Sequence, residues 1–170
     1  MGNNTKNSQL FSADKGQYGD QYNEHLLEQY KIYVNSAEKN SEQRLKANEF
    51  FLAVNTAIVA LLGFVAIRDD TTSISVLFIL ASIAGITMCY LWYRIVCSYD
   101  GLSDGKYKVI HEIEQTLPLA LYDAEWEILG RGKEPDIYWP FTKIERKVPW
   151  IFIAIYSAII LSFIPWHCVI

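Results

Sequence analysis

Two pairs of residues have the types and spacing of metal ligands. His25 precedes Glu28 and His111 precedes Glu114, each by three residues, so in a helix each histidine would lie about one turn from its carboxylate. Two such pairs can bind a metal ion when they converge on one point. Solvent-exposed helix faces carry the same spacing by chance, and we therefore expect no metal or cofactor site.

The sequence contains none of the common signatures of nucleotide-binding proteins and hydrolases. There is no GxxxxGK[ST], HExxH or GxSxG motif. Cys89, Cys97 and Cys168 form no CxxC spacing, which disfavours a zinc site and a disulfide framework. The net charge of −4, from 15 basic and 19 acidic residues, disfavours a nucleic-acid binder. We expect no enzymatic activity, no nucleic-acid partner and no identifiable small-molecule substrate.

Three long segments contain no Asp, Glu, Lys or Arg. They are 50–67, 74–93 and 148–170, with 18, 20 and 23 residues. A helix needs about 20 predominantly apolar residues to cross the core of a bilayer. The sequence therefore predicts an all-α membrane protein with three transmembrane helices over these segments and with membrane lipid as a partner.

The basic residues are distributed unevenly around these segments. Of the 15 Lys and Arg residues, 14 lie in 1–49 and 94–147, and only Arg68 lies between the first two charge-free segments. Basic residues in short loops mark the cytoplasmic side of a membrane. The distribution predicts a cytoplasmic N-terminus and a C-terminus on the periplasmic or extracellular side.

The residues before the first span are predicted to form a tail and a long helix. Residues 1–21 are polar and are expected to be a flexible tail. No proline follows until after residue 67, and the first glycine after Tyr22 is Gly63. Residues 22–49 are therefore predicted to be the cytoplasmic part of one long N-terminal helix that is continuous with the first span.

The segment 94–147 is predicted to form a small cytoplasmic helical layer. Gly101 and Gly105 are expected to break the chain after the second span, and Pro118 is expected to open a helix that ends at Leu129. Neighbouring subunits, the long helix or the membrane surface are the possible partners of this layer. Apolar residues at helical spacing predict its packing contacts, namely Ile110, Ile113, Leu117, Tyr122 and Trp126.

A seam with alternating spacings of three and four residues runs along the long helix. Such a pattern resembles a heptad repeat and is typical of helix–helix packing. The seam can pack against the protein's own cytoplasmic part or against another subunit. Its residues are Leu27, Tyr30, Val34, Ala37, Ser41, Arg44, Asn48 and Phe51.

Polar and small side chains in and near the first span are candidates for contacts between subunits. Asn48 and Asn55 are seven residues apart and share a helix face. An asparagine in a span can bridge to its copy in the next subunit, for about 1 kcal/mol, or can bond within one subunit. Small residues allow two helices to approach closely. The candidates are Asn48, Ala53, Asn55, Ala57 and Ala60.

Two stretches resemble the RipA family of small bacterial inner-membrane proteins. They are 30–63 and 98–152, and the segments YDAEWE and IERKVPW are their most specific parts. The resemblance covers about 30–165 and implies an octamer with three spans and a cytoplasmic part, without an established biochemical activity. We therefore expect a homo-oligomeric assembly in the bacterial inner membrane with a scaffold or channel-like role.

A weaker resemblance suggests an alternative function. SLATT-type membrane effectors share a long N-terminal helix that enters a two-span hairpin. That resemblance implies a pore-forming effector in anti-phage defence.

Overall fold

The computed structural model of the protein describes residues 10–68 and 72–163, and these contain helices and turns but no strand. The all-α class is therefore confirmed. The helices are α1 (Lys15–Tyr18), α2 (Tyr22–Arg68), α3 (Thr72–Glu114), α4 (Leu121–Ile128), α5 (Phe141–Glu145) and α6 (Val148–Ser162), and Gly130–Gly132 forms a 3₁₀ turn.

Helix α2 is one element of 47 residues. It begins at the predicted residue and ends one residue after the predicted end at 67, because no proline interrupts it and Gly63 alone costs only about 1 kcal/mol. Helix α1 lies within the segment that was predicted to be a polar tail, and residues 1–9 of that segment lie outside the described residues.

Helix α3 runs without interruption through Gly101 and Gly105. The expected break after the second span is therefore wrong. Each glycine costs about 1 kcal/mol in a helix interior. Burial of Val96 and Ile110, both 0% exposed, on the same helix offsets that cost.

Helix α4 begins three residues later than the sequence predicts, at Leu121 instead of Pro118. Residues 115–120 form turns and irregular chain. A proline is compatible with the first turn of a helix but does not impose one, and a side chain from α3 fixes the start of α4, as described below.

Helices α2 and α3 are long and apolar enough to cross a membrane. Only 11% of the most apolar window of α2 and 28% of that of α3 are buried within the chain, whereas the core helix of a soluble protein would be mostly buried. Apolar surface of this extent requires lipid or protein to cover it. The predicted third span falls on α6 and on residues 164–170, and the latter lie outside the described residues.

The chain divides into two units. Unit 1 consists of Met1–Ser41 and Leu102–Tyr138, and unit 2 consists of Glu42–Gly101 and Trp139–Ile170.

In unit 1, α2 and α3 pair as antiparallel helices. Lys106 Nζ donates a hydrogen bond to Ser36 Oγ at 2.7 Å, and Asn40 Nδ2 donates one to Ser103 Oγ at 2.8 Å. The buried apolar residues of this unit are Ala37, Ile110 and Ile113.

In unit 2, α2, α3 and α6 enclose an apolar core. Leu62 of α2, Phe78 and Cys89 of α3 and Tyr156 of α6 are its buried members. Pro149 lies in the first turn of α6. This core positions the polar side chains described next.

Candidate functional site: two polar clusters and an exposed helix face

A neutral polar cluster lies in the core of unit 2, centred on the fully buried carboxamide of Asn55. Asn55 Oδ1 accepts a hydrogen bond from Cys89 Sγ at 3.2 Å and another from Tyr156 Oη at 3.1 Å. Its Nδ2 donates to the carbonyl oxygen of Phe51 at 2.8 Å. The cluster therefore joins α2, α3 and α6, and it satisfies the carboxamide without a second subunit.

Gly85 makes room for the tyrosine of this cluster. A Cβ atom at position 85 would overlap with Cζ and Cε2 of the Tyr156 ring. The sequence predicted close helix contacts from small residues in the first span, and in α3 a small residue accommodates a buried ring.

A second neutral contact lies next to it in unit 2. Trp92, which is 2% exposed, donates from Nε1 to Asn48 Oδ1 at 2.7 Å. Its ring stacks on Phe51 at 5.8 Å and packs at 6.2 Å from Phe152. Asn48 Nδ2 is buried and has no hydrogen-bond partner in the described part of the chain.

The five candidates for the subunit contact do not share one surface. Asn55 is buried and Asn48 is half-buried, and both bond within the chain, whereas Ala53, Ala57 and Ala60 are exposed. At about 3.6 residues per turn, the three alanines lie roughly opposite Asn55 on α2. The sequence left two interpretations open for the asparagines, a bond to the next subunit or a bond within one subunit. In the chain, both asparagines form bonds of the second kind.

The seam residues of α2 mostly face their own chain. Ala37 is buried, and the residues from Tyr30 to Phe51 in the seam are otherwise half-buried. Leu27, at 43% exposed, is the exception.

The polar cluster of unit 1 is centred on one buried carboxylate, that of Glu114. Glu114, the last residue of α3, is 1% exposed. Its Oε1 accepts from Tyr30 Oη at 2.9 Å and from the backbone N–H of Tyr122 at 3.0 Å, and its Oε2 accepts from the N–H of Asp123 at 3.1 Å. Glu114 therefore caps the first turn of α4, where N–H groups lack helical partners and negative charge is favoured.

The pKa values of two tyrosines reflect this environment. Burial raises the pKa of Tyr30 well above its usual value, and the hydrogen bond to Glu114 raises it further. Burial also raises the pKa of Tyr122, and the nearby Glu38 carboxylate adds to the effect. Both phenols therefore stay neutral at physiological pH and remain hydrogen-bond donors.

The predicted packing residues of the cytoplasmic layer all lie in unit 1. Ile110 and Ile113 are buried, whereas Leu117, Tyr122 and Trp126 are only half-buried. Tyr122 packs at 5.9 Å from Tyr107, and Trp126 packs edge-to-face at 6.4 Å from Tyr138. Trp126 is only half-buried, because α4 has eight residues and buries none of them.

The turn after α4 has left-handed backbone geometry. Gly130, Arg131 and Gly132 have φ values of 62°, 51° and 65°. Arg131 Nε donates to Glu127 Oε1 at 2.8 Å, and this bond holds the pKa of Glu127 below its usual value. The two glycines adopt this conformation at little steric cost. Arg131 also adopts it, and its side chain forms the exposed ion pair with Glu127.

The segment IERKVPW connects α5 and α6 to the rest of unit 2 through two ion pairs. Glu145 Oε2 lies 3.3 Å from Arg44 Nε, and Arg146 Nη1 lies 3.5 Å from Asp100 Oδ2. The Arg44 and Glu145 atoms are buried and lack ideal hydrogen-bond geometry, so this contact is mainly coulombic. The pKa of Arg146 is raised, first by its hydrogen bond to Tyr93.

The two histidine–carboxylate pairs do not converge on a metal site. His25 shares a 2.8 Å hydrogen bond with the Tyr18 hydroxyl, and His111 lies 3.8 Å from Asp123. Across residues 10–68 and 72–163, no group of three or more His, Cys, Asp or Glu side chains is arranged to hold a metal ion.

Sequence reasoning missed Glu114 as a helix cap, and Cys89 and Tyr156 as partners of Asn55. Glu114 is the last residue of α3 and precedes a proline-containing turn. That position is a weak signal of a cap, because the capped N–H groups lie eight and nine residues further along the chain. Cys89 and Tyr156 lie 34 and 101 residues from Asn55, and no local pattern links positions so far apart.

The comparisons with known proteins give one match. No curated protein and no solved structure matches the chain. A family model described as "Octameric membrane protein family (8xMP)" matches residues 27–165. The match covers most of the chain, including both polar clusters and the exposed alanine face, and the chain belongs to this octameric membrane protein family.

Proposed function

We propose that the protein forms a homo-octameric assembly in a bacterial inner membrane, with a scaffold or channel-like role and no catalytic activity. The family match over residues 27–165 carries the proposal, because the family is described as one of octameric membrane proteins. The specific identification as RipA remains part of the proposal. The alternative, a SLATT-like pore-forming effector, rests on the long helix and the hairpin alone.

The assembly has three spans, with α6 as the third. Helix α6 carries no charged residue, and the sequence stays free of charge to Ile170. Ile151 is 59% exposed and Ile155 is 37% exposed, which fits a helix that meets lipid or another subunit. The unequal distribution of Lys and Arg supports a cytoplasmic N-terminus and a C-terminus outside.

The contact between subunits involves Ala53, Ala57 and Ala60. These residues are exposed on the chain, and their small side chains allow another helix to approach closely. Asn55 lies on the opposite side of α2 and bonds within its own chain. Identical contacts around a closed ring leave no open end.

Native mass spectrometry of the full chain tests the assembly. We expect an octamer for the wild type and smaller species for Ala57→Leu, because the larger side chain separates neighbouring helices but leaves the packing of the single chain unchanged. The matched control is Ala84→Leu, at an exposed alanine of α3, which should remain octameric. A monomeric wild type would contradict the assembly, and an octamer that tolerates leucine at 53, 57 and 60 together would contradict the contact face.

Cysteine labelling in intact cells tests the topology separately. In a chain with Cys97 and Cys168 replaced by Ser, a membrane-impermeant reagent added outside should label a cysteine at position 72 or 170 but not at position 14. Labelling at 14 would reverse the orientation, and protection at 170 would remove the third span.

A further inference from the structure

A short segment of unit 2 combines exposed aromatic and basic side chains just before α6. Trp139 is 52% exposed, Phe141 is 68% exposed and Ile144 is 44% exposed. Lys143 and Lys147 are exposed on the same segment. We call these five residues the interfacial patch.

The exposed charge of the patch is positive. The one carboxylate between residues 139 and 150 is Glu145, whose side chain is 19% exposed and faces Arg44. Lys147 Nζ lies 5.5 Å from the centre of the Trp139 ring. Within the described part of the chain, neither Lys143 nor Lys147 has a carboxylate at ion-pair distance. The two ammonium groups therefore remain available to an external anion.

The position of the patch along the chain determines what meets it. Helix α6 begins at Val148, directly after Lys147, and continues without a charged residue. Trp150, 54% exposed, packs edge-to-face against Tyr93 at 5.6 Å. Tryptophan and tyrosine concentrate at the level of the lipid headgroups, so the lysines just outside α6 lie at the depth of the phosphate groups.

We propose that the interfacial patch binds the headgroup of an anionic phospholipid on the cytoplasmic side, with Lys143 and Lys147 as the phosphate-binding residues and Trp139 and Phe141 inserted among the acyl chains. The proposal rests on the proposed function only in taking α6 as a membrane span. Charge complementarity selects an anionic headgroup over a zwitterionic one, and the exposed aromatic rings favour a lipid over a soluble anion.

A titration of the detergent-purified full chain with short-chain phosphatidylglycerol tests the proposal. The rise in the thermal unfolding midpoint is measured at each lipid concentration, and the concentration that gives half of the maximal rise reports the affinity. Each lysine near an anionic lipid surface contributes about a fivefold gain in affinity. The double variant Lys143→Gln/Lys147→Gln should therefore bind about 30-fold more weakly. The control variant Lys31→Gln/Lys39→Gln removes two exposed lysines of α2 that lie more than ten residues before its charge-free segment and should bind like the wild type.

Two further titrations distinguish the source of the anion. Short-chain phosphatidylcholine and inorganic phosphate should each leave the thermal midpoint unchanged. Equal stabilisation by phosphatidylcholine, stabilisation by phosphate alone, or wild-type binding by the Lys143→Gln/Lys147→Gln variant would overturn the proposal. Native mass spectrometry of the octamer and cysteine labelling at position 170 need no anionic lipid. These measurements therefore detect a failure of the proposed function independently of a failure of lipid binding.

Discussion

Unit 1 and unit 2 both connect α2 to α3 through hydrogen bonds between side chains, but the groups differ in charge. In unit 2 the pairs inside the charge-free segments are neutral, formed by Asn55 with Cys89 and Tyr156. In unit 1 the bonds include the carboxylate of Glu114 and the ammonium of Lys106. An ion in hydrocarbon costs several kcal/mol, whereas a satisfied neutral group costs little. The pair α2–α3 is thus held in unit 2 by neutral hydrogen bonds, which suit a lipid environment, and in unit 1 by bonds that include charged groups, which suit water.

The largest expected difference between the units comes from their tryptophans. Trp92→Ala should lower the free energy of unfolding by about 3 kcal/mol, since it removes a buried ring and leaves Asn48 Oδ1 without its donor. Trp126→Ala should cost only about 1–2 kcal/mol, because Trp126 is half-buried. Denaturant titration of the detergent-purified variants measures both changes. Equal losses would show that the half-buried ring of unit 1 contributes as much as the buried ring of unit 2.

A smaller effect is expected at the glycine that faces Tyr156. Gly85→Val should cost about 1–3 kcal/mol, because the new side chain overlaps a buried ring that cannot move without shifting α6. Gly101→Ala is the matched control in the same helix and the same unit. An added Cβ there meets nothing within 4 Å, so this variant should gain about 0.5–1 kcal/mol from helix propensity. A tolerated Gly85→Val would contradict the close packing of α6 on α3.

The smallest effect is expected at the cap of α4. Glu114→Gln keeps the shape of the side chain but replaces one acceptor oxygen by a donor, so one N–H of α4 loses its bond at a cost of about 1–2 kcal/mol. Hydrogen exchange should speed up at Tyr122 and Asp123 and remain unchanged in unit 2. Glu125→Gln, on the exposed side of α4, is the control. Unchanged exchange at both Tyr122 and Asp123 would show that the cap does not hold α4.

The sequence alone determined the helical class and the extent of α2. An absence of proline over 22–67 and the apolar composition of 50–67 and 74–93 act locally, so no distant contact was needed to recognise them. The apolar residues Ile110 and Ile113 were chosen by helical spacing, because burial on a helix follows a period of about 3.6 residues, and both are buried in the structure.

Only the tertiary structure decided which side of α2 faces the chain itself. Spacing grouped Asn55 with the alanines as contact candidates, but the carboxamide meets Cys89 and Tyr156 from two other helices. The continuity of α3 through Gly101 and Gly105 and the start of α4 at Leu121 were likewise decided by packing and by Glu114. A local pattern gives the propensity of a segment, whereas the partner of a buried polar group depends on which helices meet. The free energy of helix packing and of satisfying buried polar groups exceeds the roughly 1 kcal/mol that a glycine costs.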